Sequence, residues 1–284
     1  MRRETRRTRR GIGMVGVLPL PDGLGSFLPS WVSAAKPVLI ASDAHLGAAS
    51  PAQERAFLAW LDHAADVASW IILNGDLFDF WFEYPTGTTR GHDTVLTTLR
   101  RIVDGGIPVT LMGGNHDWWG GRYLRDEVGI DFLQEPVVID VAGRRTLLAH
   151  GDGLGRGDLG YRLLRGILRG KATRWTFGML PPALGDRMAR GVSRTGHQWD
   201  VYTEGHLARS AALEAWAIER LRAERELDLI VLGHTHVPLL REVEPGRWYA
   251  NTGDWVKHRT YLEVTPGCEP ILAHWDTQSD TGTP

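Results

Sequence analysis

Residues 70–76 have the sequence Trp-Ile-Ile-Leu-Asn-Gly-Asp, an apolar run that ends in a turn and a carboxylate. A short apolar run bounded in this way is typical of a buried β-strand. The same arrangement occurs at four other places, so five polar motifs each follow a predicted strand. In chain order they are Asp43-Ala44-His45, Gly75-Asp76, Gly114-Asn115-His116-Asp117, His150-Gly151-Asp152 and Gly233-His234-Thr235-His236.

Helices and strands alternate outward from this stretch. Apolar spacing predicts helices over 52–68, 94–103 and 204–226, strands over 37–42, 107–112 and 229–232, a hairpin of 137–141 with 145–149, and antiparallel strands within 239–275. Alternation of this kind favours an α/β fold in which parallel strands carry helices on both faces.

The alternation stops between Gly151 and Tyr202. This segment is rich in arginine and glycine and includes the aromatic residues Trp175 and Phe177. Because it lies between two of the polar motifs, it must project from the edge of the sheet that carries them. We therefore predict a cap or lid over about 151–202, inserted in a single domain that spans 36–275.

Composition limits the possible partners and compartments. The chain has 284 residues, 43% of them hydrophobic, and its net charge is −2. Residues 1–10 contain six arginines and one glutamate, which leaves an acidic body with 26 basic and 33 acidic residues. Since nucleic-acid binding needs clustered cations, we expect no nucleic-acid partner. The lone Cys268 excludes an intramolecular disulfide, and no apolar stretch approaches the roughly 20 residues that span a bilayer.

Both ends of the chain are left out of the fold prediction. Residues 1–35 are expected to form a disordered basic leader, and 276–284 a flexible tail. A cleaved signal peptide is an alternative for the leader, although its Gly-rich apolar segment contains prolines and lacks a clear cleavage site. Translation from Met14 is another.

The side chains of the motifs suit phosphoester hydrolysis. A phosphodiester repels nucleophiles by its own charge, and two cations about 3.5–4 Å apart overcome this by binding its oxygens and activating water. Asp76 is the best candidate for a carboxylate shared by both ions. Asp43 with His45, and His234 with His236, have a two-residue spacing that directs both side chains to one side of an extended segment. Mixed oxygen and imidazole donors suit manganese, iron or zinc.

The order of these motifs resembles the calcineurin-like metallophosphoesterase superfamily over residues 37–275. The resemblance implies an α/β fold with a layered β-sandwich flanked by helices, and a site for two divalent metal ions, with manganese expected ahead of iron or zinc. It also implies that His116 contacts substrate and either protonates the leaving oxygen or stabilises the developing charge. The implied ligands are Asp43, His45, Asp76 and His236 for the first ion, and Asp76, Asn115, His150 and His234 for the second.

The segments around the motifs resemble, more narrowly, the UDP-2,3-diacylglucosamine hydrolases. The matching segments are 75–81, 150–155, 157–158, 160–161 and 251–255. This resemblance implies that water attacks the α-phosphorus of a lipid-like sugar nucleotide, which gives UMP and 2,3-diacylglucosamine 1-phosphate. It also implies that the lid of residues 151–202 is a helical insertion. The enzyme is further expected to be cytoplasmic and to contact the inner-membrane surface peripherally. One residue departs from the best-known branch of these hydrolases, which has arginine where this chain has His116.

Substrate contacts are predicted at two places. Trp81 follows a metal motif and is expected to border the cleft, with plain packing as the alternative. Arg190, Ser193 and Arg194 in the lid are candidates for binding the pyrophosphate, because arginine forks match phosphate oxygens, with a solvated surface as the alternative.

Two rival functions remain at this stage. One is a phosphodiesterase or phosphatase for a soluble nucleotide. The other is a non-catalytic scaffold, which the intact ligand set argues against.

Overall fold

A computed structural model describes most of the predicted domain. The described residues are 35–85, 87–155, 166, 168–179 and 204–276. The leader up to residue 34, most of the predicted lid and the tail from residue 277 lie outside them. The predictions for Arg190, Ser193 and Arg194 therefore concern residues outside the described part of the chain.

The elements of the described residues follow the predicted alternation. The helices are α1 (Pro51–Val67), α2 (Asp93–Asp104), a π-helical turn (Leu124–Val128), α3 (Lys171–Gly178) and α4 (Glu204–Ala223). The strands are β1 (Val38–Ala41), β2 (Trp70–Leu73), β3 (Glu83–Tyr84), β4 (Gly87–Thr88), β5 (Val109–Met112), β6 (Asp131–Leu133), β7 (Val137–Val141), β8 (Arg144–Leu148), β9 (Leu229–Leu232), β10 (Leu239–Glu244), β11 (Arg247–Asn251), β12 (Thr260–Val264) and β13 (Ile271–His274).

The first sheet has six strands in the order β13-β12-β1-β2-β5-β6. Within it β1, β2, β5 and β6 are parallel to one another. Ile40 of β1 pairs with Ile72 of β2, which in turn pairs with Thr110 of β5. Helices α1 and α2 cover one face and bury residues such as Trp60 and Leu99 completely. A capping box at Ser50, in which its side chain accepts from the amide of Gln53, starts α1 where the sequence predicts it.

The second sheet has five strands in the order β10-β11-β9-β8-β7. Its inner face packs on the first sheet through a core that includes Ile40, Ile72, Val231 and Leu262. Its outer face is covered by α4. The architecture is thus a layered β-sandwich flanked by helices, as the resemblance implies. The expectation of helices on both faces of one sheet is wrong, because the second face of each sheet is buried by the other sheet.

Two small β elements were not predicted. β6 has three residues and begins with Asp131, and the β3–β4 hairpin has only two residues per strand. Segments this short carry no recognisable periodicity. Both lie beside motif-bearing loops, since β6 pairs with β5 and the hairpin follows Asp76 in the chain.

The parallel strands place the motifs together. β1, β2 and β5 run in one direction in the first sheet, and β8 and β9 run parallel in the second. The carboxyl ends of parallel strands meet at one edge, where open α/β folds bind their ligands. Among the described residues, no helix is long and apolar enough to cross a membrane.

Candidate metal centre

All five motifs lie at one edge of the sandwich, which we call the Asp/His edge. It is defined by Asp43, His45, Asp76, Asn115, His150, His234 and His236. Seven non-glycine residues in the described chain have a positive φ, and five of them belong to this edge: Asp43, His45, Asp76, His234 and His236. Such left-handed conformations cost free energy and cluster at functional sites. Backbone strain is therefore concentrated where the sequence predicts metal ligands.

Three groups of Asp and His side chains at this edge have the geometry to hold a metal ion. In each group the potential ligand atoms lie within 4.8 Å of one another. Asp76 occurs in two of the groups, in agreement with its predicted role as the shared carboxylate. The groups are Asp43 with His45 and His236, His45 with Asp76 and His116, and Asp76 with His150 and His234.

The backbone sets the orientation of His150. Its Nδ1 donates to the carbonyl oxygen of Asn74 at 2.9 Å, so Nε2 is left to face Asp76 Oδ2 at 3.2 Å. Gly75, between Asn74 and Asp76, has a φ of +92°, and a side chain there would overlap the His150 ring. Glycine is thus required at the turn that delivers Asp76, and a carbonyl behind His150 fixes the tautomer that presents Nε2.

Asn115 and His116 have different surroundings although they are neighbours in the chain. The side-chain oxygen of Asn115 lies 3.0 Å from His234 Nδ1, beside the group that contains Asp76 and His150. His116 Nδ1 donates to the carbonyl oxygen of Asp79 at 2.6 Å, so Nε2 is the nitrogen available to a substrate. The two side chains therefore have different partners, and His116 also belongs to one of the three Asp/His groups, so its assignment to the substrate side stays a prediction.

Buried carboxylates raise the proton affinity of two histidines. Burial opposes a charge on His45, but Asp43 and Asp79 outweigh it and raise its pKa to about 9. Burial also opposes a charge on His150, and Asp76 again outweighs it and raises the pKa. The carboxylates thus demand compensating positive charge, and a bound divalent cation would displace these protons.

The two histidines after β9 have the opposite tendency. Burial, with the neighbouring His150, lowers the pKa of His234 to about 4, and burial lowers that of His236. Burial would raise the pKa of Asp43, but His236 and His150 outweigh it and lower that pKa to about 2. At neutral pH these two imidazoles are therefore neutral and lie at the same edge as the ionised Asp43, and neutral imidazole with carboxylate is a ligand set that manganese, iron and zinc accept.

One oxygen of Asp43 shows most directly that this edge fits a cation. Asp43 is completely buried, and its Oδ1 accepts no hydrogen bond in the described structure. The nearest imidazole atoms are His236 Nε2 at 3.5 Å and His45 Nε2 at 3.8 Å. A buried carboxylate oxygen without a donor is costly unless a cation is bound there.

Asp117 and Asp152 hold the loops of this edge. The Asp117 carboxylate accepts from the amides of Gly114 and Leu77, both at 2.7 Å, and burial with the nearby Asp76 raises its pKa to about 6. Asp152 accepts from Arg169 Nη2 at 2.8 Å. Each of these carboxylates thus ties its loop to a neighbouring group by a hydrogen bond. The sequence gives no motif for Arg169, whose position depends on the insertion.

Trp81 does not border the cleft. Its side chain is completely buried, with ring centroids 4.6 Å from Phe78 and 6.0 Å from Tyr123. The prediction that Trp81 binds substrate is wrong for this structure, because the ring has no surface to offer. A large aromatic next to a motif can equally face the core, and the sequence does not distinguish the two.

A different set of rings lies beside the Asp/His edge. We call it the aromatic wall, defined by Phe80, Phe82, Tyr84, Trp119 and Phe177. Phe177 comes from α3 of the insertion, and its ring centroid lies 5.8 Å from Phe80 and 5.2 Å from Phe82. Trp175 on the same helix is 69% exposed, and Met179, directly after the helix, is 66% exposed. The described part of the insertion therefore contributes apolar surface next to the site.

Comparisons with known proteins agree with this geometry. Residues 36–238 match the model of a family described as calcineurin-like phosphoesterase. A UDP-2,3-diacylglucosamine hydrolase of Pseudomonas aeruginosa is 32% identical over 231 residues, which cover 80% of this chain and 94% of that protein. A protein of the same name from Bordetella pertussis is 34% identical over 204 residues, 71% of this chain and 78% of that protein.

Proposed function

Since the chain belongs to the calcineurin-like phosphoesterase family, we propose that this metal-dependent hydrolase cleaves the pyrophosphate bond of UDP-2,3-diacylglucosamine. The observation that carries the chemistry is the convergence of three Asp/His groups in which Asp76 is shared. The substrate is supported by the relatives, which are named after it and which this chain matches over most of their length. The products would be UMP and 2,3-diacylglucosamine 1-phosphate.

Two divalent ions, manganese first among the candidates, would be held by the residues of the Asp/His edge. Asp43, His45 and His236 would bind one ion, and His150, His234 and Asn115 the other, with Asp76 common to both. The ions would supply charge neutralisation at the phosphate and an activated water. In the reaction the water oxygen bonds to the α-phosphorus as the bond to the bridging oxygen breaks.

His116 would serve the leaving group. Its Nδ1 proton is held by the Asp79 carbonyl, so Nε2 can carry a proton toward the departing 2,3-diacylglucosamine 1-phosphate. The amide of His116 also donates to Asp76 Oδ1 at 2.9 Å, which couples its position to the shared carboxylate. A proton donor placed in this way contributes roughly 10²–10⁴-fold to turnover.

The lipid part of the substrate suits the exposed side chains of α3 and the partly exposed rings of the aromatic wall, which are Phe80, Trp119 and Phe177. Burying an acyl chain gains about 0.8 kcal/mol per methylene, so a few methylenes decide which substrate binds. The exposed Trp175 and Met179 extend this apolar surface. They support an enzyme that works in the cytoplasm in peripheral contact with the inner membrane, where a diacylated substrate would reside.

Product analysis tests the proposal. The purified chain, loaded with Mn²⁺, is incubated separately with UDP-2,3-diacylglucosamine, ADP-ribose, a cyclic nucleotide and a nitrophenyl phosphodiester. We expect UMP release from the first substrate at a kcat/KM far above the others. Preferential turnover of ADP-ribose or the cyclic nucleotide would replace the proposal with a soluble-nucleotide hydrolase. No turnover of any substrate, with no metal bound, would favour a scaffold.

A further inference from the structure

The segment Asn251–Trp255 has no role in the function proposed above. It follows β11 and contacts the loops that carry Asp43 and His234. The side-chain amide of Asn251 donates to the carbonyl oxygen of Gly233 at 2.8 Å, and the backbone amide of Trp255 donates to the carbonyl oxygen of Asp43 at 3.2 Å. The segment therefore supports both motif loops.

The two carboxylate oxygens of Asp43 differ in their surroundings. Oδ2 accepts the hydroxyl hydrogen of Ser42 and, at 3.0 Å, the amide hydrogen of His234. Oδ1 accepts no hydrogen bond in the described structure and faces the imidazoles of His45 and His236. The donors thus engage one oxygen and leave the other for a cation.

Thr252 completes this arrangement. Ser42 has a single hydroxyl hydrogen, which its bond to Asp43 Oδ2 uses. The contact of 2.6 Å between the hydroxyl oxygens of Ser42 and Thr252 must then be bridged by the hydrogen of Thr252. Thr252 is itself fixed, because its amide donates to the carbonyl oxygen of Leu232 at 3.0 Å and its own carbonyl accepts from Thr260 at 2.7 Å. The result is a buried relay from Thr252 through Ser42 to Asp43.

The glycine of the last motif leaves room for this relay. A side-chain carbon at Gly233 would lie 2.6 Å from both Asp43 Oδ2 and the Ser42 hydroxyl oxygen. Ser42 is 4% exposed and Thr252 is completely buried, so solvent does not substitute for either hydroxyl. The loop of the second sheet is shaped to accept a serine hydroxyl and one carboxylate oxygen side by side.

We propose that Ser42 and Thr252 are positioning residues that fix Asp43 as a one-oxygen metal ligand through Oδ1. This inference rests on the proposed function, because it assumes that Asp43 binds a metal ion. Without the Thr252 hydroxyl, Ser42 would lose the donor that orients it toward Asp43, and without the Ser42 hydroxyl, Oδ2 would lose one of its two donors. In both cases the carboxylate could rotate about its last torsion, so Oδ1 would no longer be held toward His45 and His236. Removal of such outer hydrogen bonds typically weakens metal binding about 10–100-fold.

The test measures Mn²⁺ binding to the metal-free full chain by isothermal titration calorimetry. Thr252→Val keeps the shape of the side chain and removes the hydroxyl, and Thr252→Ser keeps the hydroxyl. Thr146→Val is the matched control, since Thr146 is a completely buried threonine in β8 whose hydroxyl bonds to the carbonyl oxygen of Arg144. We expect Thr252→Val to weaken one of two binding steps about 10–100-fold. Thr252→Ser and Thr146→Val should bind like the natural chain.

Ser42→Ala provides an independent measurement if Thr252→Val folds poorly, and it should weaken the same step. Equal affinity of the natural chain, Ser42→Ala and Thr252→Val would overturn the relay while leaving the proposed function intact. Weakened binding that Thr252→Ser does not restore would also overturn it, because packing rather than the hydroxyl would then be responsible. If the natural chain binds no Mn²⁺, the proposed function and the relay both fall.

Discussion

The Asp/His edge and the aromatic wall lie side by side but are held by different forces. At the edge, directed hydrogen bonds from neighbouring loops fix each side chain, as the carbonyl of Asn74 fixes His150. In the wall, rings such as Phe82 and Phe177 pack at centroid distances near 5 Å without shared polar groups. The side chains of the edge come from loops of the two sheets, whereas one ring of the wall, Phe177, comes from the insertion. Chemistry and substrate choice should therefore respond to different substitutions.

The largest effect is expected for Asp76→Ala. Asp76 occurs in two of the three metal groups, so its removal takes a ligand from both predicted ions. Turnover of every substrate should fall to the detection limit, and bound metal per chain should drop when measured by elemental analysis. The control is Asp104→Ala, which removes an exposed carboxylate that forms an ion pair with Arg100. Full activity of Asp76→Ala would refute the shared-carboxylate mechanism.

His116→Ala should reduce kcat by roughly 10²–10³-fold, the usual scale for one lost proton donor or charge stabiliser. Metal content should remain that of the natural chain, because His116 is assigned to the substrate side. This substitution therefore separates binding from chemistry within the Asp/His edge. A loss of metal together with activity would instead place His116 among the ligands, in the Asp/His group that it forms with His45 and Asp76.

Phe177→Ala should act on the aromatic wall alone. The ring contacts Phe80, Phe82 and Tyr84, and aromatic pairs contribute about 0.5–1.5 kcal/mol each beyond their buried area. We expect KM for UDP-2,3-diacylglucosamine to rise about tenfold, equivalent to about 1.4 kcal/mol. Hydrolysis of a small nitrophenyl ester should be unchanged.

The control for this substitution is Leu207→Ala, an exposed apolar residue of α4. If Phe177→Ala slows both substrates equally, the wall supports the Asp/His edge and does not select substrate. Chemistry and substrate choice would then depend on the same residues.

The same contrast explains what the sequence could predict. The Asp/His edge was predictable because strand periodicity places each motif at a strand end, and parallel strands bring those ends together. Trp81 was misassigned because an aromatic beside a motif can face either the cleft or the core. Ser42 and Thr252 carry no pattern of their own, since isolated hydroxyl residues at strand ends are common. Ser42 and Thr252 are more than 200 residues apart in the chain, and they come into contact only because the first sheet packs on the second.

Two buried histidines give a further contrast, which concerns stability rather than turnover. His45 at the Asp/His edge has a pKa raised to about 9, because Asp43 and Asp79 outweigh burial. His92 packs its ring 4.6 Å from Phe78, next to Trp81. There burial lowers its pKa to about 4, and Asp93 and Asp79, which oppose this, do not outweigh it. The same side chain is thus stabilised as a cation among carboxylates and as a neutral ring among aromatics.

His92 should therefore make the fold sensitive to acid. Its pKa is about 4 in the folded chain and 6.5 when unfolded, so below pH 6.5 the unfolded state binds more protons and stability falls as the pH falls toward 4. From these values the natural chain should lose about 2 kcal/mol more free energy of unfolding than His92→Gln between pH 7 and pH 5. Urea unfolding of the metal-free proteins at both pH values measures this difference. Identical pH dependence of the two proteins would mean that His92 has the same charge in the folded and unfolded states. The apolar surroundings formed by Phe78 and Trp81 would then not control its protonation.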